Sequence, residues 1–364
     1  FEQLTTQSKT HLGYPCNLNY DYSELHRFLT FSINNIGDPF SSSNYKVNTH
    51  RFEREVLDFF STLLEAKADY RGYVTNGGTE GNLYGLYLAR SRFPSGIVYF
   101  TEQAHYSIYK IVNLLNIEHK IIPANERGEM DYSALSKHLN RHKPAIILAN
   151  IGSTMTGAVD DIKAIKTCLK AHHKHQHYIH CDAAFHGAIL PLLDTPFGFS
   201  QGFDSIAISG HKMIGSPIPC GVVLTTYEAW QGLTDYVEYV DVLDSTISGS
   251  RNGFTPLVLW YAIKTLGKDG LHELVTRSIN RADYAIKQLK TKKITAWRNP
   301  NSPIVIFPTP SDRLCKKWQL ASHGPITHLI TTDNVDNATI DKFVSEIASD
   351  PEVHLSKTKT PQSD

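Results

Sequence analysis

Apolar positions along this chain keep two periods, and the periods alternate. Residues 49–66 place Phe52, Val56, Phe59, Phe60, Leu63 and Leu64 at helical spacing, which predicts a core helix. Tyr73 to Asn82 then reads strand, turn, helix, and Leu83, Leu86, Tyr87 and Arg90 carry the helical period onward. Ile97 to Phe100 is a strand pattern, and His105 to Leu115 and Asp131 to Leu139 are helical ones. Ala145 to Ile151 is an unbroken apolar run, as expected of a strand covered by helices on both faces. Asp160 to Ala171 predicts a helix, and strands are expected at Tyr178–Asp182, Ser205–Ile208 and Gly221–Leu224. Strands separated by helices predict an α/β fold with a mainly parallel sheet. Binding sites in such sheets gather at the carboxyl ends of the strands.

The two ends of the chain read differently. Residues 1–44 are irregular, with a loop signal at Gly13-Tyr14-Pro15-Cys16 and a turn-rich run from Phe31 to Pro39. Tyr236 to Gly253 is loop-like. Pro256–Leu266 and Leu271–Leu289 are helical, the second joining a large domain to a small C-terminal one. Ile294 to Phe307 alternates in strand style around Asn299-Pro300. His328–Thr332 predicts a strand and Ile340–Ile347 a last helix, before a polar tail from Ser356 expected to be disordered. The divisions expected are 1–44, 45–270 for the large domain, and 271–364 for a small α+β domain with its tail.

Composition narrows the class. The 364 residues are 41% hydrophobic and 20% charged, ordinary values for a soluble globular protein. Formal net charge is zero, which argues against nucleic acid or an anionic membrane as main partner. No apolar run reaches the roughly 18 residues that a membrane-spanning helix needs. Phe1-Glu2-Gln3 opens no basic or apolar leader region, so a signal peptide is not expected. Five scattered cysteines (Cys16, Cys168, Cys181, Cys220, Cys315) read as the reduced thiols of a cytoplasmic enzyme.

Three stretches carry candidate chemistry. Ser205 to Gly215 is a strand running into a small-residue turn that delivers Lys212. A lysine held past a buried strand end can lose its proton by desolvation and act as an amine nucleophile. Tyr178 to Ala184 ends a strand on a lone carboxylate, Asp182. Asn76-Gly77-Gly78-Thr79 is a glycine turn opening a helix, with Thr79 expected at the N-cap, where free N–H groups suit a phosphate. Each has an ordinary explanation: a solvated lysine, a carboxylate bonded to backbone amides, a plain turn. His105, opening a helix, is by itself a structural end residue. The joint order of lysine, aspartate and glycine turn points to pyridoxal phosphate, with the lysine on the aldehyde and the aspartate on the ring nitrogen.

The motifs GYP, SINNxGD, TNGGTEGN, His105-Tyr106-Ser107, Asn150-Ile151-Gly152, DxA, SGHKMIGSPIPCG and SGSRNG stand in this order over residues 12–350. Together they resemble the group II amino acid decarboxylases, pyridoxal-phosphate enzymes of aminotransferase-like fold (fold type I). Within these the chain is most similar to the bacterial pyridoxal-phosphate histidine decarboxylases. The resemblance implies decarboxylation of L-histidine to histamine and carbon dioxide. It assigns Lys212 to the cofactor aldehyde, Asp182 to the ring nitrogen, and His105 to the ring face and the substrate. Gly78, Thr79, Ser209 and His211 resemble the phosphate cradle, and Thr154 and Ala184 ring contacts. Ser248 or Ser250 is implied to reach the phosphate of a neighbouring subunit, in a homodimer with shared sites. The N-terminal region is implied to cover the site, with Tyr14, Asn35 and Asp38 as substrate candidates. Tyr239 is the candidate proton donor, by analogy with mobile-loop tyrosines.

Two positions depart from the close relatives: His186, where a small side chain is commoner, and Phe254, where histidine is expected. Plant serine decarboxylases share several of the motifs, so another small amino acid, serine above all, is the alternative substrate. An aminotransferase or lyase on the same fold is a third reading. The run His172-His173-Lys174-His175-Gln176-His177 could bind a metal, but it lacks a spaced cysteine or carboxylate. It reads better as a solvated basic helix end, and no metal site is expected.

Overall fold

The computed structural model describes residues 1–193, 195–231 and 235–355. The tail expected to be disordered from Ser356 lies outside the described residues. Seven strands build the main sheet: β1 (Arg71–Thr75), β2 (Ile97–Thr101), β3 (His119–Ile122), β4 (Ala145–Asn150), β5 (His177–Asp182), β6 (Ser205–Ser209) and β7 (Gly221–Thr225). Their spatial order is β1-β7-β6-β5-β4-β2-β3. β7 runs antiparallel to both neighbours, and the other pairings are parallel. The mainly parallel sheet expected from the pattern is therefore present. β2, β4, β6 and β7 are buried at every residue, in keeping with helices on both faces.

The helices are α1 (Glu2–Ser8), α2 (His50–Leu63), α3 (Gly78–Arg92), α4 (Tyr106–Leu114), α5 (Tyr132–His138), α6 (Ile162–Ala171) and α7 (Tyr227–Trp230). They continue with α8 (Phe254–Thr291), α9 (Asp312–Lys317), α10 (Asn337–Ile347) and α11 (Pro351–Leu355). Asp131 and Asp161, read as first helical residues or their neighbours, are N-caps whose carboxylates accept backbone N–H groups of α5 and α6. The two helices expected at 256–266 and 271–289 form one element, α8, broken in direction at Gly267 (φ 63°, ψ −174°).

A second, antiparallel sheet packs β10 (Ile304–Pro308), β12 (Ile326–Ile330) and β11 (Ala321–His323) in that order, after a hairpin of β8 (Asp235–Val237) and β9 (Val242–Asp244). That hairpin lies where a plain loop is expected from residue 236. Only Ile304–Pro308 of the alternating 294–307 stretch is strand. Leu12 of the N-terminal segment joins the core of this smaller sheet with Val305, Phe307, Trp318 and Phe343. Residues 1–44 are not wholly irregular: besides α1 they hold a 3-10 turn at Ser23–Thr30. Among the described residues, no helix is long and apolar enough to cross a membrane.

Candidate active site

The parallel strands end along one edge, and that edge collects the polar groups. Asp182 closes β5, Asn150 closes β4 opposite it, and Ser209 closes β6. β7 enters the same edge at Gly221, which pairs with both Ser209 and Thr75. After Ser209 the chain turns through Gly210 and His211 to Lys212. The turn is closed by Gly210 N–H to Cys220 C=O (2.8 Å) and Ser216 N–H to Gly210 C=O (3.2 Å). Burial lowers the Lys212 ammonium below the usual lysine range, opposed by the charge of Asp182 and by Cys16. The neutral amine is the form that can react with a carbonyl.

Asp182 is 8% exposed and accepts the Ala184 N–H at 3.2 Å. Its remaining acceptor capacity is available to a cation. His105 caps α4: its Nδ1 accepts Ser107 N–H (3.3 Å) and faces Ser107 Oγ at 2.8 Å. Nε2 is thereby the protonated nitrogen of the neutral ring. Burial lowers the His105 pKa, Asp182 raises it and Lys212 lowers it further. The structural role, a helix cap, is thereby present.

Helix α3 begins beside Ser209. Gly77, not Thr79, is its N-cap, and no side chain caps it. Thr79 lies one residue inside the helix, because the sharp turn after β1 takes Gly77 to φ 143°, which favours glycine. A Cβ on Gly78 would come within 2.8 Å of Ser209 Oγ and 3.3 Å of Ala184 Cβ. His211 Cε1 lies 3.8 Å from the equivalent point on Gly77. His211 Nδ1 contacts Cys220 C=O at 2.9 Å and Cys220 N–H at 3.2 Å, and burial lowers its pKa. A helix N-terminus with uncapped amides, glycine backbone and a serine hydroxyl fits a phosphate group. Lys212, Asp182 and this cradle therefore fit pyridoxal phosphate: amine for aldehyde, carboxylate for pyridine nitrogen, amides for phosphate.

Other predicted residues stand elsewhere. Thr154 is exposed on the 153–158 turn. Tyr14 is 48% exposed and stacks on His11 with ring centroids 5.2 Å apart. Asn35 is fully buried, donating to Glu53 (2.7 Å) and accepting from Thr49 N–H (2.8 Å). Asp38 accepts Phe40 N–H (2.8 Å) and Ser245 Oγ–H (3.4 Å). These contacts tie Asn35 and Asp38 to α2 and the 245–251 loop rather than to Lys212. Ser250 accepts from Asn34 (3.0 Å), Ser248 is part-exposed, and Tyr239 is 86% exposed on the β8–β9 hairpin. Among the described residues, no hydrogen bond ties these three to Lys212.

Sequence reasoning missed Asn17. Its N–H donates to Lys212 C=O (3.0 Å) and its Nδ2 to Met213 C=O (3.3 Å), so the N-terminal segment lies on the lysine turn. The GYPC signal flagged the loop but gave no partner. His172 faces Ser136 (2.7 Å) and His177 the Lys174 carbonyl (2.8 Å), each held by a different neighbour. Among the described residues, no group of three or more His, Cys, Asp or Glu side chains is placed to hold a metal.

Sheet, lysine turn and phosphate cradle define a fold type I pyridoxal-phosphate enzyme. The profile of the pyridoxal-dependent decarboxylase conserved domain matches residues 18–308. The histidine decarboxylase of Morganella morganii is 45% identical over 351 residues, covering 94% of this chain and 93% of that protein. That of Pseudomonas entomophila is 43% identical, covering 93% and 86%. Among solved structures, L-methionine decarboxylase of Streptomyces sp. 590 superposes with a TM-score of 0.90 at 26% identity, covering 97% of this chain and 93% of that one. The chain belongs to the pyridoxal-dependent decarboxylase family, and pyridoxal phosphate is its cofactor.

Proposed function

We propose that this carboxy-lyase acts on L-histidine, giving histamine and carbon dioxide. The observation that carries the substrate is identity of 40–45% over more than nine-tenths of the chain with several histidine decarboxylases. No comparable support stands behind serine. The cofactor supplies the electron sink into which the bond to the carboxylate breaks. Lys212 would hold its aldehyde and give way to the substrate amine. Asp182 keeps a proton on the ring nitrogen through a charge-assisted hydrogen bond. His105, neutral and oriented by Ser107, presents a flat ring and an Nε2–H toward the Asp182–Lys212 side of the site. The N-terminal segment, through Asn17, helps keep water from the lysine turn.

The remaining assignments follow from the same reading. Residues 1–44 cover the site, 45–270 hold the cofactor and 271–364 form the small domain. Ser248 or Ser250 reaches the phosphate of a neighbouring subunit in a homodimer with shared sites, and the exposed Tyr239 is the proton donor to the product carbon. The exposure of Ser250 and Tyr239 in the single chain supports this. Tyr14 is kept as a substrate contact beside His11. Five unpaired cysteines support a reducing, cytoplasmic setting.

The test is product formation by purified, cofactor-loaded protein offered L-histidine, L-serine, L-methionine, L-glutamate and L-tyrosine separately. Histamine and carbon dioxide should form one for one from histidine. Its kcat/KM should exceed that of any other substrate by about 100-fold or more. Turnover of serine instead, or of none, would overturn the substrate.

A further inference from the structure

His328, in the middle of β12, is 1% exposed and has a carbonyl oxygen against each ring nitrogen. Nδ1 lies 3.0 Å from Met155 C=O and Nε2 lies 3.0 Å from Gly13 C=O. These two carbonyls belong to distant parts of the chain, and the Gly13 segment reaches the lysine turn. Met155 follows Thr154 on the turn after β4. Gly13 lies four residues before Asn17, which bonds the backbone of Lys212 and Met213. On its other side the same segment runs along the small sheet: Leu12 N–H to Trp318 C=O (3.2 Å), Gly13 N–H to Gln319 C=O (3.2 Å) and Ile330 N–H to Leu12 C=O (2.8 Å). One side chain thus stands where the small sheet, the N-terminal segment and the 153–158 turn meet.

Burial lowers the basicity of His328, opposed by its hydrogen bonds to the Gly13 and Met155 carbonyls; a neutral imidazole carries one N–H. It can donate to one carbonyl only. Gly13 is buried, whereas Met155 is part-exposed. An unsatisfied carbonyl costs more where water cannot reach it. The proton therefore belongs on Nε2, toward Gly13.

We propose that His328 is a positioning residue for decarboxylation: its Nε2–H holds Gly13, and through Gly13 it fixes Asn17 against the lysine turn. The Lys212 turn is then held by the N-terminal segment as well as by its own closing hydrogen bonds. The positioning role rests on the decarboxylase reading, but the bond itself does not.

Two amide variants separate the two ring nitrogens, since asparagine reproduces the reach of Nδ1 and glutamine that of Nε2. H328N keeps a donor for Met155, and H328Q keeps one for Gly13. Hydrogen exchange without substrate should show the Asn17 amide opening about tenfold faster in H328N, with H328Q recovering most of the protection. In steady-state kinetics H328N should raise KM for the amino acid by about tenfold with a smaller loss in kcat, and H328Q by less than about threefold. Equal behaviour of the two variants in exchange and in KM would overturn the proposal. So would an effect on melting temperature alone. Ring nitrogen-15 spectra of the unmutated protein give a second reading that needs no variant to fold. A proton on Nε2 of His328 supports the proposal, and a proton on Nδ1 alone contradicts it. If no amino acid is turned over, the exchange and nitrogen-15 results still decide the bond.

Discussion

Asp182 has one backbone donor, the Ala184 N–H, and an amide oxygen at the same place would accept it equally well. Asp182→Asn should therefore fold like the parent while losing the charged acceptor for the ring nitrogen. The expected kcat falls by roughly 100-fold or more, read in the decarboxylation assay; a loss below threefold would remove the assignment. The histidines two residues before and four after Asp182 behave oppositely to a solvent-exposed one. His180 and His186 are fully buried, and burial pushes each pKa down from 6.5 to about 3. His180 is paired through Nδ1 to Ser205 (2.7 Å) and through Nε2 to Asn82 (3.0 Å). His186 presses on Gly152 and has no hydrogen-bond partner on either nitrogen among the described residues. Both rings stay neutral in the folded chain but charge in the unfolded one below pH 6.5. The unfolded state then binds the extra proton, so stability falls as pH drops from about 6.5 toward 3. In His186→Ala, whatever the cavity costs at neutral pH, stability should depend less on pH between 4 and 6. The slope should be shallower by about 1.4 kcal/mol per pH unit. Urea midpoints across that range measure it, and an unchanged slope would contradict it. At this scale Lys212, Asp182 and His105 were legible because each follows a strand end or opens a helix, where nearby sequence fixes position. Asn17 and His328 were not, since their partners come from remote segments and no local pattern records the meeting.

Helix α3 shows why an element can carry a site. Its glycines form one face: a Cβ on Gly81 would meet Ala207 Cβ at 2.8 Å, and one on Gly85 would meet His180 Nδ1 at 2.1 Å. The helix can thus lie on β5 and β6 closely enough for its N-terminus to reach Ser209. Gly85→Ala should force His180 out of its bonds to Ser205 and Asn82. We expect a destabilisation of about 1–3 kcal/mol in chemical unfolding, despite the better helix propensity of alanine. A stabilised variant would show that the helix is not pinned to the sheet there. The strand–helix alternation was legible because apolar period alone reports it. The antiparallel sense of β7 was not, since a strand buried on both faces reads the same in either direction. The β8–β9 hairpin was hidden because its exposed residues carry no core-facing alternation. The single α8 was read as two helices because Gly267 does interrupt the helical geometry.

Across the whole molecule, remote segments are joined by a buried ion pair. Arg251 bonds both oxygens of Glu53, and its Nη2 donates to Gly37 C=O (2.7 Å). Asn35 and Val74 N–H complete the carboxylate's partners. The pair ties α2, β1, the 35–38 segment and the loop before α8 into one body. Glu53→Gln would leave the guanidinium buried without its counter-charge, and should cost about 3–5 kcal/mol in denaturant unfolding. A loss under 1 kcal/mol would mean that the segments are held by apolar packing alone. The same contacts explain why Asn35 and Asp38, plausible as substrate residues in the sequence, sit in this framework: a polar, turn-rich run looks alike whether it binds a ligand or a buried arginine.

Lys212 is proposed as the group that holds the cofactor, and one measurement addresses that directly. The cofactor-loaded protein is reduced with borohydride, digested, and its peptides are weighed. The phosphopyridoxyl mass should fall on the peptide containing Lys212 and vanish in Lys212→Ala. Stoichiometric labelling of any other lysine, with Lys212 unmodified, would contradict the site and the chemistry built on it.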